Sequence, residues 1–300
     1  MNKLLIICGA TATGKTALAV ECARALDSEV VSADSQLIYK NLNIGTAKPT
    51  EDEMGGIVHN MIDVVGPESS FSVSDYCSMA RRFLEKLLKE NKVPVVCGGT
   101  GFYINSLIYD FSYGNAAADS AVREKYEGLL REKGREYLYN YLCEIDGETA
   151  ARLHVNDVKR VIRAIEIYEI SGRKKSSIVD KPIPRYDYTA VAVDYPRDEL
   201  YARINRRVDV MFESGLVDEV VRLTESGITA KNQCMQAIGY KEVLECIKNG
   251  CNESTMRDII KQNTRRYAKR QITFFKKLDN IIWLKPSEAT VGTVLELLNE

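Results

Sequence analysis

Histidine is scarce in this 300-residue chain, and cysteine pairs at metal-binding spacing are missing. Two histidines, His59 and His154, and eight cysteines without a C-x-x-C pair (Cys8, Cys22, Cys77, Cys97, Cys143, Cys234, Cys246, Cys251) assemble no zinc site at a familiar spacing. The thiols are scattered through apolar segments, which points to a reduced, cytoplasmic core. No apolar run approaches the ~18 residues that suggest a membrane span, so no membrane partner is expected. An excess of charge of one sign is also lacking. The 41 basic and 42 acidic residues leave a net charge of −1, so any attraction for nucleic acid must come from local clusters. With 45% hydrophobic and 28% charged residues, wholesale disorder, collagen-like repeats and pure coiled coil are excluded. The length suits two average domains, or one domain carrying a large insertion.

What is present starts at the amino terminus. Met1-Asn2-Lys3 followed by residues 4–8 imitates a signal peptide, but the apolar stretch is too short and no small-residue cleavage site follows. Residues 3–8 read instead as a strand buried on both faces. Thr16 to Leu26 has helical spacing, and 29–32 is a second short strand ending at Asp34. Ser72-x-x-Asp75 resembles a capping box opening a helix to about Glu90, and 93–97 is a third strand. Alternating strands and helices with short connections predict an α/β parallel-sheet core with right-handed crossovers.

Near residue 114 the character changes at the small-residue joint 114–119, and a helical pattern runs to about Gly172. A linker over 173–187, marked by Lys181-Pro182-Ile183-Pro184, leads to strand 189–193. Helices are predicted over 197–226, 235–248 and 253–278, with a last strand at 281–284. This pattern predicts a core of 1–113 and 188–300, interrupted by a helical insertion at 114–187.

Gly9-Ala10-Thr11-Ala12-Thr13-Gly14-Lys15-Thr16 matches G-x-x-x-x-G-K-[ST] between a buried strand and an amphipathic helix. The glycines let backbone N–H groups turn toward phosphate oxygens, Lys15 supplies charge, and the Thr16 hydroxyl can reach a bound Mg²⁺. Such a loop suits ATP or any other diphosphate, and does not reveal whose phosphates it holds. Asp34 and Thr100 follow the second and third strands, at the sheet edge where open α/β sheets bind ligands. Asp34 is a candidate general base or metal-associated carboxylate, although a turn cap would use the same residue type. Between Arg257 and Lys277 eight cations stand beside a single acid, Asp258. Lys159, Arg160 and Arg163 lie opposite an apolar stripe of Val158, Val161, Ile162 and Ile165. Two basic clusters on a neutral chain suggest a polyanion larger than a nucleotide.

Taken in order, several motifs are more specific than the P-loop. They are Asp34-Ser35-x-Leu37-Ile38-Tyr39-Lys40, Asn43-Ile44-Gly45-Thr46-Ala47-Lys48-Pro49, Gly98-Gly99-Thr100-Gly101-Phe102-Tyr103 and His154-x-Asn156-Asp157-x-x-Arg160. Glu166-Ile167-Tyr168, Gln236-Ala237-Ile238-Gly239-Tyr240-Lys241-Glu242 and Tyr267-Ala268-Lys269-Arg270-Gln271 complete the set. Over residues 3–285 the chain resembles the tRNA dimethylallyltransferase (isopentenyltransferase) family in its bacterial form, without the C-terminal zinc-finger extension of some eukaryotic relatives. One departure is Ala10, where many relatives carry proline.

The resemblance implies a P-loop NTPase-like core that transfers a dimethylallyl group from dimethylallyl diphosphate to N6 of adenine-37 in tRNA. It assigns diphosphate and Mg²⁺ to residues 9–16, with the metal at Thr16. It makes Asp34 the general base, gives Thr100 a positioning role, and places Arg203 near the diphosphate. It assigns tRNA contacts to Asp34, Ser35, Gln36, Leu37, Thr100, Arg123, Lys159, Arg160, Val161, Ile162 and Arg163. The insertion would grip the anticodon stem-loop around a flipped-out adenine, with the protein acting as a monomer. Three rivals stand beside this reading. A P-loop small-metabolite kinase would close an arginine-rich lid, which Arg123, Arg131 and Arg135 could imitate. An adenine-nucleotide isopentenyltransferase would need no tRNA-sized insertion. A nucleotide-switched RNA-binding protein would not need Asp34.

Overall fold

The computed structural model describes residues 3–109, 119–178, 183–278 and 280–300. Two compact units divide the chain: residues 1–108 with 184–300, and residues 109–183. The joint residues 114–118, together with Lys181 and Pro182 of the linker, lie outside the described residues.

The larger unit is built on strand β1 (Lys3–Cys8), whose apolar residues are almost wholly buried. The P-loop leads into α1 (Lys15–Ala25), then β2 (Val30–Ser32), α2 (Glu51–Met54), β3 (His59–Asn60), α3 (Val73–Lys89), β4 (Val95–Gly98) and α4 (Gly101–Ile108). The Ser72 capping box forms as the spacing predicts: the Ser72 hydroxyl accepts the Asp75 N–H at 3.2 Å, and the Asp75 carboxylate accepts the Ser72 N–H at 2.8 Å.

The smaller unit contributes α5 (Ser120–Ala151) and α6 (Val158–Ser171). The larger unit resumes with β5 (Asp187–Val193), α7 (Arg197–Glu213), α8 (Leu216–Glu225), α9 (Tyr240–Asn249), α10 (Glu253–Phe275), β6 (Ile281–Leu284) and α11 (Val291–Asn299). All six strands form one parallel sheet in the order β3-β2-β4-β1-β5-β6, so the α/β class is borne out. The P-loop strand is central: Ile6 stands between Val96 and Ala190. Leu5, Ile7, Val95 and Val191 pack with Ala19, Cys22 and Ala23 of α1 and with Val294 and Leu298 of α11, forming one continuous core.

Two helix boundaries differ from the sequence reading, both at glycine. The helix predicted over 197–226 is broken at Gly215, whose φ of 90° ends α7 and starts α8. The helix predicted from residue 235 begins at Tyr240. Residues 233–236 form a 3₁₀ turn, and Gly239, at φ 100°, turns the chain into α9 with its N–H on the Glu242 carboxylate. Four short elements (α2, β3, α4 and α11) leave no periodic run that the sequence reading picks out.

Within the smaller unit, α5 changes course at Gly134 and Asp146, and α6 packs on it through Leu138, Leu142, Val161, Ile162 and Ile165. The fully buried Glu166 carboxylate clamps the start of α5. It accepts the Asp119 N–H at 2.8 Å and pairs with Arg123 at 3.0 Å and Arg163 at 2.6 Å. Asp146 is almost buried and accepts the N–H groups of Thr149 (3.1 Å) and Ser176 (3.0 Å). Burial alone would raise its pKa, but the hydrogen bonds from Thr149 and Ser176 outweigh it and bring the group from 3.8 to about 2. The depressed folded value adds stability above pH 3.8 that is lost as pH falls through about 2. The Asp146→Asn variant is expected to be about 2 kcal/mol less stable at neutral pH. That gap should narrow in thermal melts taken from pH 4 down to pH 2. A gap independent of pH would show that the charge is not what stabilises this turn.

Candidate active site

Gly9 (φ 120°), Ala12 (φ 65°) and Gly14 (φ 82°) turn the P-loop back on itself between β1 and α1. The Ala10 carbonyl accepts the Thr13 hydroxyl at 2.9 Å and the Lys15 ammonium. On the inner side the Thr11 N–H donates to the Gln271 side chain at 2.9 Å, whose amide in turn donates to the Gly99 carbonyl at 2.8 Å. One buried glutamine on α10 therefore joins the P-loop to the loop after β4.

Asp34 lies at the carboxyl end of β2. Its Oδ1 accepts the Gln36 N–H at 2.8 Å, so the residue does cap its turn while also lining the cavity described below. Thr100 supports that turn. Its hydroxyl accepts the Ser35 N–H at 3.0 Å, and its own N–H donates to the Ala33 carbonyl at 3.1 Å. Gly98 allows the approach, because a Cβ there would come within 2.2 Å of the Ala33 oxygen. Thr100 is not among the cavity-lining residues; Ser35, Gln36 and Leu37 are.

These loops surround a cavity of about 350 Å³, built entirely from the larger unit. Lys15, Arg207 and Arg270 line it against the single carboxylate of Asp34. Burial pushes the Lys15 ammonium below the usual lysine value, and Arg207 acts in the same direction while Cys97 and Asp34 oppose it. Burial also lowers Arg207, with Asp34 and Glu53 opposing. Two desolvated cations beside one carboxylate make a strong site for a polyanion. Burial drives the Cys97 thiol up to about 11 in spite of Lys15, so it stays protonated and is no nucleophile. Apolar side chains line it as well: Leu37, Ile204, Val208, Met211, Ile238 and Ile260. A diphosphate on the cations and a small hydrocarbon on these side chains would match this mixed lining.

Arg203, expected near the diphosphate, reaches the P-loop from its solvent-facing side. Its exposed side chain spans the outside of the P-loop, donating from Nε to the Ala12 carbonyl at 2.7 Å and stacking 4.6 Å over Tyr195. Arg207, one helical turn on, points inward, donating to the Thr11 hydroxyl at 3.2 Å and the Ala47 carbonyl at 3.4 Å. Sequence reasoning missed Arg207 as a site residue, although four-residue spacing puts both arginines on one face of α7. Gln271 was missed as well.

The predicted tRNA contacts in the smaller unit separate into three groups. Val161 and Ile162 are 1% and 7% exposed, so their side chains belong to that unit's core and not to an RNA surface. Arg123 and Arg163 hold Glu166. Lys159 and Arg160 are exposed, Arg160 making only a loose pair with Asp157 at 3.7 Å. The α10 cluster divides too: Arg257 and Lys261 both pair with Asp209 of α7, at 3.3 and 2.7 Å, and Arg265 donates to Asn205 at 2.6 Å. Those three cations pack helices together, while Arg270 faces the cavity. Among the described residues no group of three or more His, Cys, Asp or Glu is placed to hold a metal ion, and no helix is long and apolar enough to cross a membrane.

With this geometry in view, comparison with known proteins is specific. The family profile described as IPP transferase matches residues 37–278, and that described as Isopentenyl transferase matches residues 2–69. A tRNA dimethylallyltransferase of Acetivibrio thermocellus is 44% identical over 291 residues, covering 96% of this chain and 93% of the relative. One from Bacillus cytotoxicus is 44% identical over 94% of this chain and 90% of its own. Among solved structures, the tRNA isopentenylpyrophosphate transferase of Bacillus halodurans superposes with a TM-score of 0.74 at 38% identity, covering 100% of this chain and 95% of the other. A eukaryotic dimethylallyltransferase acting on tRNA gives a TM-score of 0.81 at 28% identity, over 97% of this chain and 74% of the other.

Proposed function

The chain belongs to the tRNA dimethylallyltransferase (IPP transferase) family, and from that premise we propose how its cavity works. It is a transferase acting on tRNA. The donor we assign to the cavity is dimethylallyl diphosphate, with its diphosphate on the P-loop and its hydrocarbon against the apolar lining side chains. The acceptor is N6 of the adenine at position 37 in the anticodon loop, flipped out of its stack to reach Asp34.

The single observation that carries this reading is the pair of half-buried cations, Lys15 and Arg207, set beside one carboxylate in one cavity. As N6 attacks the allylic carbon, a C–N bond forms and the C–O bond breaks. The electron pair of the broken bond leaves on diphosphate, where Lys15, Arg207 and the loop N–H groups stabilise it. Asp34 takes the proton lost from N6. Thr100 acts through Ser35 to hold that turn in place.

Mg²⁺ suits this site. The Thr16 hydroxyl is exposed at the cavity wall and makes no hydrogen bond among the described residues. That matches a cation bound by one side chain, substrate phosphate oxygens and water. When bound, Mg²⁺ supplies charge neutralisation for the leaving diphosphate. The free cysteines among the described residues suit the cytoplasm.

Mass analysis of tRNA nucleosides after incubation with dimethylallyl diphosphate and Mg²⁺ tests the whole reading. A dimethylallyl adduct on adenosine is expected. ATP turnover without prenyl transfer would favour the kinase, and equal rates on AMP and on an anticodon stem-loop the free-nucleotide enzyme. For the RNA surface, changing Lys159 and Arg160 together to alanine is expected to weaken tRNA binding roughly tenfold. The slope of log K against log salt should fall by about 1–2, as for the loss of two phosphate contacts. Unchanged affinity at both low and high salt would move the RNA surface elsewhere.

A further inference from the structure

Two motifs, the 43–49 segment and the 236–242 segment, supply no group to the proton transfer, yet both end at one side chain. Glu219, on α8, is only 4% exposed. Its two oxygens accept the backbone N–H groups of Asn43 (3.0 Å), Ile44 (2.9 and 3.0 Å) and Gly45 (3.1 Å), and the Tyr240 hydroxyl at 2.5 Å. No cation pairs with it among the described residues. A buried carboxylate without a counter-ion is costly unless its acceptor sites are filled, and here four donors fill them. Three of the four come from consecutive residues of one loop, so the charge organises that loop.

The loop is cavity wall. Gly45, Thr46 and Ala47 all line the cavity, and the turn is closed by Ala47 N–H to Ile44 carbonyl (3.0 Å) and Lys48 N–H to Asn43 carbonyl (2.9 Å). Its inner edge presents the Ala47 carbonyl to one nitrogen of Arg207, whose other nitrogen holds the Thr11 hydroxyl of the P-loop. Tyr240 sets the loop's depth: a Cβ at Gly45 would come within 2.4 Å of the Tyr240 ring, so the loop can lie against the ring only with glycine there. Burial, reinforced by Glu219, raises the Tyr240 hydroxyl far above the usual tyrosine value, which keeps it a donor.

We propose that Glu219 is a positioning residue for diphosphate binding: by gathering the N–H groups of residues 43–45 it fixes the Ala47 carbonyl, and through it the Arg207 guanidinium at the mouth of the P-loop. This rests on the cavity being the diphosphate site. Both motifs then share one purpose, the first supplying the loop and the second, through Tyr240, the surface against which it is pressed.

Glu219→Gln tests the idea, because it keeps the shape while putting an NH₂ where an acceptor is needed. It is expected to raise the KM for dimethylallyl diphosphate about tenfold, with kcat within threefold and the KM for an anticodon stem-loop within twofold of wild type. Calorimetric binding of Mg²⁺-pyrophosphate should weaken by the same factor. Tyr240→Phe, which removes one donor of four, should weaken both by about two- to threefold. Gly45→Ala, which forces the loop off the ring without touching the carboxylate, should weaken them more than Tyr240→Phe.

A folded Glu219→Gln protein whose melting temperature falls while donor KM and pyrophosphate affinity stay within twofold would overturn the proposal. So would equal losses on donor and RNA. If Glu219→Gln does not fold, the order of Gly45→Ala and Tyr240→Phe decides, and wild-type pyrophosphate affinity in both would overturn it. Wild-type protein that binds pyrophosphate but transfers no prenyl group would refute the functional reading, while the affinity order would still judge Glu219.

Discussion

Asp34→Asn is expected to lower the rate of transfer by ~10²–10⁴, the usual contribution of a general base, while tRNA binding stays within about threefold. Asparagine is the informative replacement because the Asp34 Oδ1 atom already has a structural duty, accepting the Gln36 N–H at 2.8 Å. An amide oxygen can keep that bond and the turn with it, as Thr100 holds the next residue from the other side through the Ser35 N–H. What asparagine cannot do is take a proton from the attacking amine. Single-turnover measurement at saturating donor separates the chemical step from binding, and a rate within a few-fold of wild type would remove Asp34 from the chemistry. Alanine, by contrast, removes the turn cap as well, so a loss there would mix two causes.

The second large effect is expected at Arg207. Removing a preorganised donor aimed at developing charge typically costs ~10²–10³ in rate, and Arg207→Ala should lose about that much in kcat/KM for dimethylallyl diphosphate. The guanidinium reaches both Thr11 and Ala47, which a single ammonium cannot, so Arg207→Lys should recover only part of the loss. Arg203→Ala is the internal control. That side chain lies outside the loop on the Ala12 carbonyl and the Tyr195 ring, and its removal should cost no more than a few-fold. If Arg203→Ala proved the more damaging of the two, the cation that meets the diphosphate would be the outer one.

The contrast between these arginines shows where sequence reading stops. Residues 3–8 were legible as a buried strand because an apolar run flowing into a glycine-rich turn has few other uses, and the Ser72 capping box was legible because its partners are three residues apart. Arg203 and Arg207 cannot be separated that way, since spacing puts them on the same face and only packing against the P-loop makes one of them inner. Val161 and Ile162 show the opposite case. Their apolar stripe marked them as core, the family resemblance counted them as RNA contacts, and the structure follows the stripe. Gly215 and Gly239 lie inside runs with helical periodicity, so their positive φ values left no trace in the pattern of side chains. Gln271 and Glu219 have no local signature at all, because each works on loops 170 or more positions away along the chain.

The order in which the polypeptide leaves the ribosome gives the central position of β1 a further meaning. The strand and its P-loop are made first, but their neighbour β5 follows only after the whole helical unit, and the Gln271 clamp on Thr11 comes 260 positions later. A nascent chain therefore leaves one edge of that apolar strand open and its phosphate loop unbraced for most of its synthesis, a natural station for chaperones. The helical unit, contiguous and with its own core, can fold before the larger unit is complete. The cavity is complete only at the end of translation, when α10 emerges and latches the first turn of the molecule to its last long helix.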